Sequence, residues 1–316
     1  MAENLWLSYA FLAASIYATL SLVDKVILDR EAAGPISTTA LSGFSMMLTF
    51  VAGGLLTGNT GLEATAISTE LLITIGIGIL GGVTYVLSLW TYFIGLEKSE
   101  VSRFIPLLSL DLIIVLVLAF VLLGEGFQPI VYVGVFIIFF GTVLISLDAS
   151  NLRGGFKSKQ ALFWGVVVAG TTAALQLILG YMTAHLTLFA IMFWVGVGGI
   201  VSLAALLLWK LVQSDAVPTE AVKSAATVQG GVLLTRGVFI AIAYYTFVLA
   251  IETGPVSIAV AILKLDVFMV FFGALVLSKI APAVLYEPID RRILVQKFTA
   301  SGLIVGGVVI IQSVTA

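Results

Sequence analysis

Four ionisable side chains lie inside otherwise apolar stretches of this sequence. Asp111 and Asp266 each lie ten residues into such a stretch, and Arg236 and Lys264 supply the opposite charge from two of these stretches. A charged group in hydrocarbon is costly unless it is paired or hydrated, so each of the four is a candidate functional residue. The carboxylates could take up a proton or bind a cationic group, and the arginine could hold a carboxylate or phosphate. The alternative is a structural role, because two acids and two bases can neutralise one another.

Helix geometry limits how these charges can pair. Lys264 and Asp266 are two residues apart, about 200° around a helix, so they cannot contact each other. The sequence leaves open whether Arg236 pairs with Asp266 and whether Lys264 pairs with Asp111. A cavity that holds both signs of charge would suit a zwitterionic or amphoteric metabolite better than an apolar drug.

Aromatic and amide side chains provide a second group of candidates. Trp90 and Tyr245 could stack on a planar or cationic ligand inside a cavity. Near a helix end, such aromatic residues are more often anchors at the membrane interface. Gln176 is a polar residue in the middle of an apolar stretch and could also touch a ligand. Glu125 lies at the end of another stretch, where the sequence predicts that it is solvated.

Composition determines the broad class of protein. The chain has 316 residues, of which 60% are hydrophobic and 10% are charged, with a mean hydropathy of +1.19. A soluble domain carries about 25% charged residues, so this composition excludes a soluble enzyme, a nucleic-acid-binding protein and a disordered chain. One histidine and no cysteine give no basis for a disulfide framework, an iron–sulfur cluster or a zinc site, and we predict no metal and no cofactor.

Ten stretches are long and apolar enough to cross a bilayer as helices, which requires roughly 20 apolar residues for about 30 Å of hydrocarbon. The runs are too long and too continuously apolar for transmembrane strands, which would alternate. The sequence therefore predicts an all-helical bundle. The ten spans are at about 5–23, 36–56, 71–96, 101–123, 128–147, 161–181, 187–209, 228–250, 256–277 and 298–314.

The placement of basic residues predicts the orientation of the chain. Of the 15 Lys and Arg residues, Arg236 and Lys264 lie within spans, and all the others lie in or beside the loops after spans 1, 3, 5, 7 and 9. Cytoplasmic loops carry the excess of Lys and Arg in membrane proteins. We therefore expect these loops to be cytoplasmic and both termini to be outside.

The sequence contains an internal repeat with an offset of 155 residues. The matches include charged residues in or beside spans, and the last span fits an offset of 166. The repeat pairs Gly76 with Gly231, Gly82 with Gly237, Trp90 with Tyr245, Glu97 with Glu252 and Asp111 with Asp266. Each copy has five spans, an odd number, so the second copy would be inverted relative to the first. Inverted repeats are typical of transporters, whose binding site lies near the midplane between the repeats.

Span 4 has two polar faces, and the repeat reproduces both in span 9. Arg103 and Ser109 lie on one face, and Asp111 is well removed from it; Ser257 and Lys264 repeat the serine face. Only one of the two faces can look squarely into a central cavity. If the serine face does so, the aspartates face neighbouring helices and their structural role gains weight.

The segment Gly95–Ser146 resembles the signature half of the EamA-type family in the drug/metabolite transporter superfamily. The resemblance is carried by an acidic and small segment entering span 4, a Gly-Glu pair closing that span, and a fifth span with two glycines seven residues apart. These are Glu100–Ser102, Gly124 with Glu125, and Gly134 with Gly141. The resemblance implies a ten-helix basket whose cavity is lined by spans 3 and 4 together with spans 8 and 9.

The sequence thus predicts an all-α membrane protein of ten transmembrane helices in two inverted five-helix repeats, 1–150 and 151–316. We expect a non-enzymatic secondary transporter for a small polar or amphoteric metabolite, in the inner membrane of a prokaryote. Proton coupling, direction of transport, and a monomeric or homodimeric state are left open. The expected partners are the substrate and the bilayer, with no nucleic acid. A receptor or scaffold that does not transport and a cation-conducting pathway are the alternatives.

Overall fold

A computed structural model describes residues 5–28, 35–62, 68–98, 104, 107–146, 159–213, 228–280 and 291–315. Within these ranges the regular structure is helical throughout, with turns between the helices. Arg103, one of the candidate binding residues, lies outside the described residues.

The helices follow the predicted spans closely. Eight segments of the described chain are long and apolar enough to cross a membrane, and two shorter apolar segments, Leu110–Leu123 and Pro129–Leu144, accompany them. The helices are α1 (Leu5–Leu28), α2 (Pro35–Thr57), α3 (Thr69–Lys98), α4 (Leu110–Leu118), α5 (Pro129–Ser146), α6 (Lys159–Thr183), α7 (Leu188–Gln213), α8 (Val228–Thr253), α9 (Val256–Leu263), α10 (Leu265–Ile280) and α11 (Arg291–Thr315).

Spans 4 and 9 depart from a simple continuous helix. The predicted ninth span, 256–277, is divided at Lys264 into α9 and α10. In span 4 a turn at Ser109 precedes α4, which passes into a π-helical turn, Ala119–Leu123. The two interruptions are 155 residues apart, which is the offset of the internal repeat.

The helices pack in pairs that interleave the two halves of the sequence. Helix α3 packs against α6 and α7, and α8 packs against α1 and α2. Helix α4 lies against α6, α10 lies against α1, and α5 packs along α11. Each half therefore buries its helices largely against the other half, so that the candidate site residues of both halves lie within one bundle.

Glycine allows two of these contacts to be close. A β-carbon at Gly82 in α3 would overlap the carbonyl oxygen of Val195 and the amide nitrogen of Gly199 in α7. A β-carbon at Gly237 in α8 would overlap the hydroxyl oxygen of Ser45 in α2. Small residues at such positions let helix backbones approach each other, which is how helices associate in membranes.

The outer surface of the bundle is apolar. Large hydrophobic side chains are exposed along its helices, among them Leu56, Leu122 and Phe140. Exposed apolar surface on this scale requires a hydrocarbon solvent, in agreement with the membrane-crossing length of the helices. The chain is an integral membrane protein.

The close approach of α3 and α7 predicts the effect of a single methyl group. Gly82→Ala should lower the free energy of unfolding by about 1–3 kcal/mol, because the methyl group must push two backbones apart. Thermal unfolding of the purified protein in detergent measures the change. Gly76→Ala is the matched control, since a β-carbon there meets nothing within 4 Å. Equal unfolding midpoints for the two variants would contradict the packing described here.

Candidate functional site

The interruptions of spans 4 and 9 have the same backbone geometry. The amide of Leu112 donates to the carbonyl oxygen of Ser109 at 3.2 Å, and the amide of Val267 donates to that of Lys264 at 3.3 Å. Ser109 and Lys264 occupy equivalent repeat positions, as do Leu112 and Val267. Each half of the sequence therefore carries the same break within an apolar span.

An aspartate lies in the first turn after each break. The Oδ1 atom of Asp111 accepts a hydrogen bond from the amide of Leu112 at 2.7 Å, and that of Asp266 accepts one from Val267 at 2.7 Å. The first amides of a helix have no partner within the helix, and its N-terminus carries a partial positive charge. The local structure thus stabilises a negative charge at each aspartate.

Lys264 forms an ion pair with Asp111. Its Nζ atom lies 2.7 Å from Oδ1 and 2.8 Å from Oδ2 of that carboxylate. The side chains of the lysine and the aspartate are only 15% and 5% exposed, respectively. Lys264 also caps the C-terminus of α9, where the helix dipole favours a positive charge. Of the pairings that the sequence left open, this one is present.

Asp266 has a different environment from its repeat partner. It is half-buried, and within the described chain its hydrogen-bond partner is the amide of Val267, with no ion pair within 4 Å. Its charge lies close enough to those of Lys264 and Asp111 to interact with them. Because Lys264 already neutralises Asp111, the three groups together leave one negative charge, at Asp266.

Four aromatic rings form a cluster beside these charges. The ring of Tyr244 makes edge contacts with Tyr17, Phe50 and Tyr85, at centroid distances of 5.9, 6.2 and 5.6 Å. The hydroxyl of Tyr244 interacts electrostatically with Asp111, and that of Tyr17 interacts with Asp266. Rings from α1, α2, α3 and α8 therefore meet next to both carboxylates. The sequence indicates Tyr245 as a candidate for stacking on a ligand, but it is the neighbouring Tyr244 that lies beside the charged residues.

Tyr245 belongs to an adjoining aromatic contact. Its ring lies 5.5 Å from both Phe50 and Phe189. Its hydroxyl is buried without a hydrogen-bond partner among the described residues and lies against Gly53 of α2, where a β-carbon would overlap it. A buried hydroxyl of this kind can bind water or a polar ligand.

Trp90 and Gln176 lie at separate helix contacts. Trp90 in α3 packs edge-on against Trp209 of α7, at a centroid distance of 5.8 Å. The repeat partners Trp90 and Tyr245 therefore have different neighbours. Gln176 in α6 is buried, and its Oε1 atom has no hydrogen-bond partner in the described part of the chain. That oxygen can accept a hydrogen bond from water or from a ligand.

Arg236 is buried between α8 and α2. Its Nη1 atom donates to the hydroxyl oxygen of Ser42 at 2.7 Å. The neighbouring Gly237 brings the two helices together at this point. The structure thus places one of the two basic residues in a helix contact and the other, Lys264, at the break of span 9.

Glu125 is a functional candidate that the sequence analysis missed. Its carboxylate accepts hydrogen bonds from the amides of Val256 at 2.6 Å and Ser257 at 3.1 Å, and a third from the hydroxyl of Ser257. The preceding Gly124 has a φ of 71°, which ends the π-helical turn and redirects the chain. The prediction that Glu125 is solvated is therefore wrong. The Gly-Glu pair was the available signal, since it combines a left-handed residue with a capping carboxylate.

Helix α9 is held at both ends by residues of span 4 and the turn that closes it. Glu125 binds its N-terminus, and Asp111 binds its C-terminus through Lys264. All eight residues of α9 are buried. Helix α9 and the span-4 segment are thus joined by two polar contacts with a buried apolar surface between them.

The ion pair predicts a large effect of removing one partner. Lys264→Met should lower the free energy of unfolding by about 3–5 kcal/mol, because it leaves the Asp111 carboxylate buried and uncompensated. The double variant Lys264→Met/Asp111→Leu should recover a substantial part of that loss, because no charge remains. Equilibrium unfolding in mixed micelles measures both. The exposed Glu252→Gln is the control, and a Lys264→Met variant as stable as that control would refute the pairing.

The cap on α9 predicts an energetic coupling between two residues. Glu125→Ala and Ser257→Ala should each destabilise the protein, and the double variant should lose less than the sum, by about 1.5–3 kcal/mol, because the hydrogen bond involves a charged group. Unfolding of all four members of this double-mutant cycle gives the coupling energy. Strict additivity would mean that the two side chains do not interact in solution.

Comparison with known proteins finds one family match and one fold match. Residues 4–147 match the EamA-like transporter family. No curated protein matches the chain. A solved crystal structure is similar to it with a TM-score of 0.69 over 99% of this chain and 99% of its own, at 17% sequence identity, which indicates a common fold. The first half of the chain is therefore similar to the EamA-like transporter family, and the full chain shares its fold with a solved structure.

Proposed function

We propose that this protein is a secondary transporter that moves a small polar or amphoteric metabolite by alternating access, with Asp266 as its central binding group. The observation that carries the proposal is the contrast between the two aspartates. Asp111 is neutralised by Lys264, whereas Asp266 keeps a carboxylate oxygen available beside the aromatic cluster. The match of residues 4–147 to a transporter family supports transport as the general activity.

The architecture in this proposal is two inverted repeats of five helices, residues 1–150 and 151–316. The packing of the helices supports it. Exchange of each helix with its repeat partner converts the α3–α6 contact into α8–α1 and the α3–α7 contact into α8–α2. It likewise converts α4–α6 into α10–α1. Inverted repeats with broken helices at their interface are the arrangement used by many secondary transporters.

Asp266 is the group that binds the cationic part of the substrate or a coupling proton. Its position at the N-terminus of a half-helix stabilises its negative charge, and the rings of Tyr17 and Tyr244 offer faces and edges to an organic cation. Asp111 and Lys264 form the rigid side of the site. This charge balance supports a substrate with an amino group over one that carries only negative charge.

The proposal includes an orientation with both termini outside, in the inner membrane of a prokaryote. Its support is the distribution of charge, since the loops on one side carry the Lys and Arg residues of the chain that are not within spans. Glu125 and its contact with α9 then lie in the outer half of the protein. The inner ends of α1 and α8 lie on the opposite side.

A ligand screen followed by counterflow tests the proposal. Thermal stability of the purified protein is measured with amino acids, amines, nucleosides, sugars and organic acids at two pH values; a ligand at 100 times its Kd adds about 2.7 kcal/mol of stability. Stabilising compounds are then tested for counterflow in proteoliposomes. Asp266→Asn should abolish counterflow at every pH tested. The exposed Glu252→Gln should leave both the rate of counterflow and its dependence on pH unchanged.

Other outcomes favour other functions. Saturable binding without counterflow would indicate a receptor, and current without saturable exchange would indicate a cation pathway. Unchanged counterflow with unchanged pH dependence in Asp266→Asn would refute the role of Asp266. Asp111→Asn separates positioning from binding, because it should lower the stability of the protein even where ligand affinity is retained.

A further inference from the structure

Gln176 in α6 carries a buried carbonyl oxygen that no described residue bonds. The residue is 7% exposed, and its Oε1 atom has no hydrogen-bond partner within the described part of the chain. A buried acceptor without a donor destabilises a fold, so such groups are nearly always paired with protein or with a bound molecule. An apolar residue at this position would avoid that cost. The glutamine therefore points to a donor that binds here.

The residues one turn before and one turn after Gln176 show what this side of α6 faces. Thr172 is hydrogen-bonded to Ser88 of α3, with 2.9 Å between the two hydroxyl oxygens. A β-carbon at Gly180 would overlap the side chain of Val256 in α9. Residues four apart lie on one face of a helix. Gln176 is thus on the side of α6 that faces α3 and α9, the helices that carry the aromatic cluster's Tyr85 and end at Lys264.

Gln176 has nearly the same depth in the bundle as the aromatic cluster. The order of contacts along α3 and α6 makes the two helices antiparallel. From the contact between Ser88 and Thr172, Tyr85 is three residues away and Gln176 is four residues away in the same direction. At about 1.5 Å per residue these distances are about 4.5 and 6 Å. The ring of Tyr85 contacts that of Tyr244 at this level.

The contact between Gly180 and Val256 relates the depth of Gln176 to that of Asp266. Helices α7 and α8 lie between α6 and α9 in the chain, so α6 and α9 run in opposite directions. Asp266 is ten residues beyond Val256, and Gln176 is four residues before Gly180, which corresponds to about 15 and 6 Å in the same direction. The two side chains therefore differ in depth by about 9 Å along the bundle. This separation suits the two ends of an elongated small molecule.

The two groups require different partners. Asp266 has a carboxylate oxygen for an ammonium group, since its other oxygen accepts the amide of Val267. The Oε1 atom of Gln176 is an amide oxygen, which accepts a hydrogen bond and cannot donate one. An ionised carboxylate is also an acceptor only, so it cannot satisfy this atom. A hydroxyl or an amide N–H can.

We propose that Gln176 is a second binding group for the transported substrate, and that this substrate is an amine with a hydroxyl or amide donor at its far end. The inference rests on the proposed function, in which Asp266 binds the amino group. The donor pairs with Oε1 of Gln176, which is otherwise buried and unpaired. The site then selects an elongated amino alcohol or amino amide over an amine whose far end is apolar or a carboxylate.

Three ligands of equal chain length test the donor requirement. Binding of hexylamine, 6-aminohexan-1-ol and 6-aminohexanoate to the purified full-length protein is measured by calorimetry. The amino alcohol should bind about threefold to tenfold more tightly than hexylamine, as expected for one neutral hydrogen bond, and more tightly than the amino acid. Ethanolamine and ethylamine should bind equally, because a two-carbon chain is too short to join groups about 9 Å apart in depth.

Two glutamine variants locate the effect. Gln176→Leu should abolish the preference for the amino alcohol and leave the affinity for hexylamine unchanged. Gln213→Leu is the matched control, since Gln213 is an exposed glutamine at the end of α7, and it should keep the preference. Asp266→Asn should weaken the binding of all three six-carbon ligands.

The outcomes separate this inference from the function on which it rests. Equal affinities of the amino alcohol and hexylamine, tightest binding of the amino acid, or a preference that persists in Gln176→Leu would overturn the role of Gln176 and leave that of Asp266 intact. Absence of binding by every amine, or full affinity in Asp266→Asn, would overturn the proposed amine site itself. The comparison of ligands uses the unaltered protein and does not depend on the folding of any variant.

Discussion

A helix that stops inside a bilayer leaves backbone amides and carbonyls without partners, where water is not available to replace them. Spans 4 and 9 both have such a break, and the charged residues of this protein are distributed accordingly. Asp111 and Asp266 accept hydrogen bonds from amides that begin α4 and α10, and Lys264 ends α9. Glu125 caps the other end of α9. The ionisable residues around the breaks therefore cap the helix ends that the breaks create, and together they form a charged site.

The two halves of the sequence share a helix break and an aspartate but differ in the residue at the break, which makes the site asymmetric. The aspartate and the break recur, but the break has serine at position 109 and lysine at position 264. If both positions held serine, the two carboxylates would interact without the lysine as a counter-ion. The single lysine neutralises Asp111 and leaves the Asp266 carboxylate without an ion pair among the described residues. Arg236 and its repeat partner Gly81 also differ. A β-carbon at Gly81 would contact Ile178 and Val195, whereas Arg236 carries a charge at the equivalent position.

Much of this fold was predictable from the sequence, because long apolar stretches and the positions of buried charges are local signals. The division of span 9 was not, since the run from Val256 to Leu263 contains no glycine or proline to mark an end. The partner of Lys264 depends on how two distant spans pack, and periodicity carries no information about it. The role of Glu125 was missed for the same reason: its partners lie 131 and 132 residues away. Tyr244 and Tyr245 are adjacent, so only their helix packing determines which one faces the charges.

The contacts around α9 constrain any motion that alternating access would require. Breaking the buried Asp111–Lys264 pair would leave two charges unpaired at low dielectric, which costs about 3–5 kcal/mol when one partner is lost. Glu125 and Lys264 hold the two ends of α9, so α9 and the span-4 segment are best treated as one rigid unit. Asp266 lies on α10, beyond the turn at Lys264, and is not tied to that unit by a side-chain contact among the described residues. In the proposed alternating access, a shift at the turn at Lys264 would move Asp266 relative to Asp111 without breaking the Asp111–Lys264 ion pair.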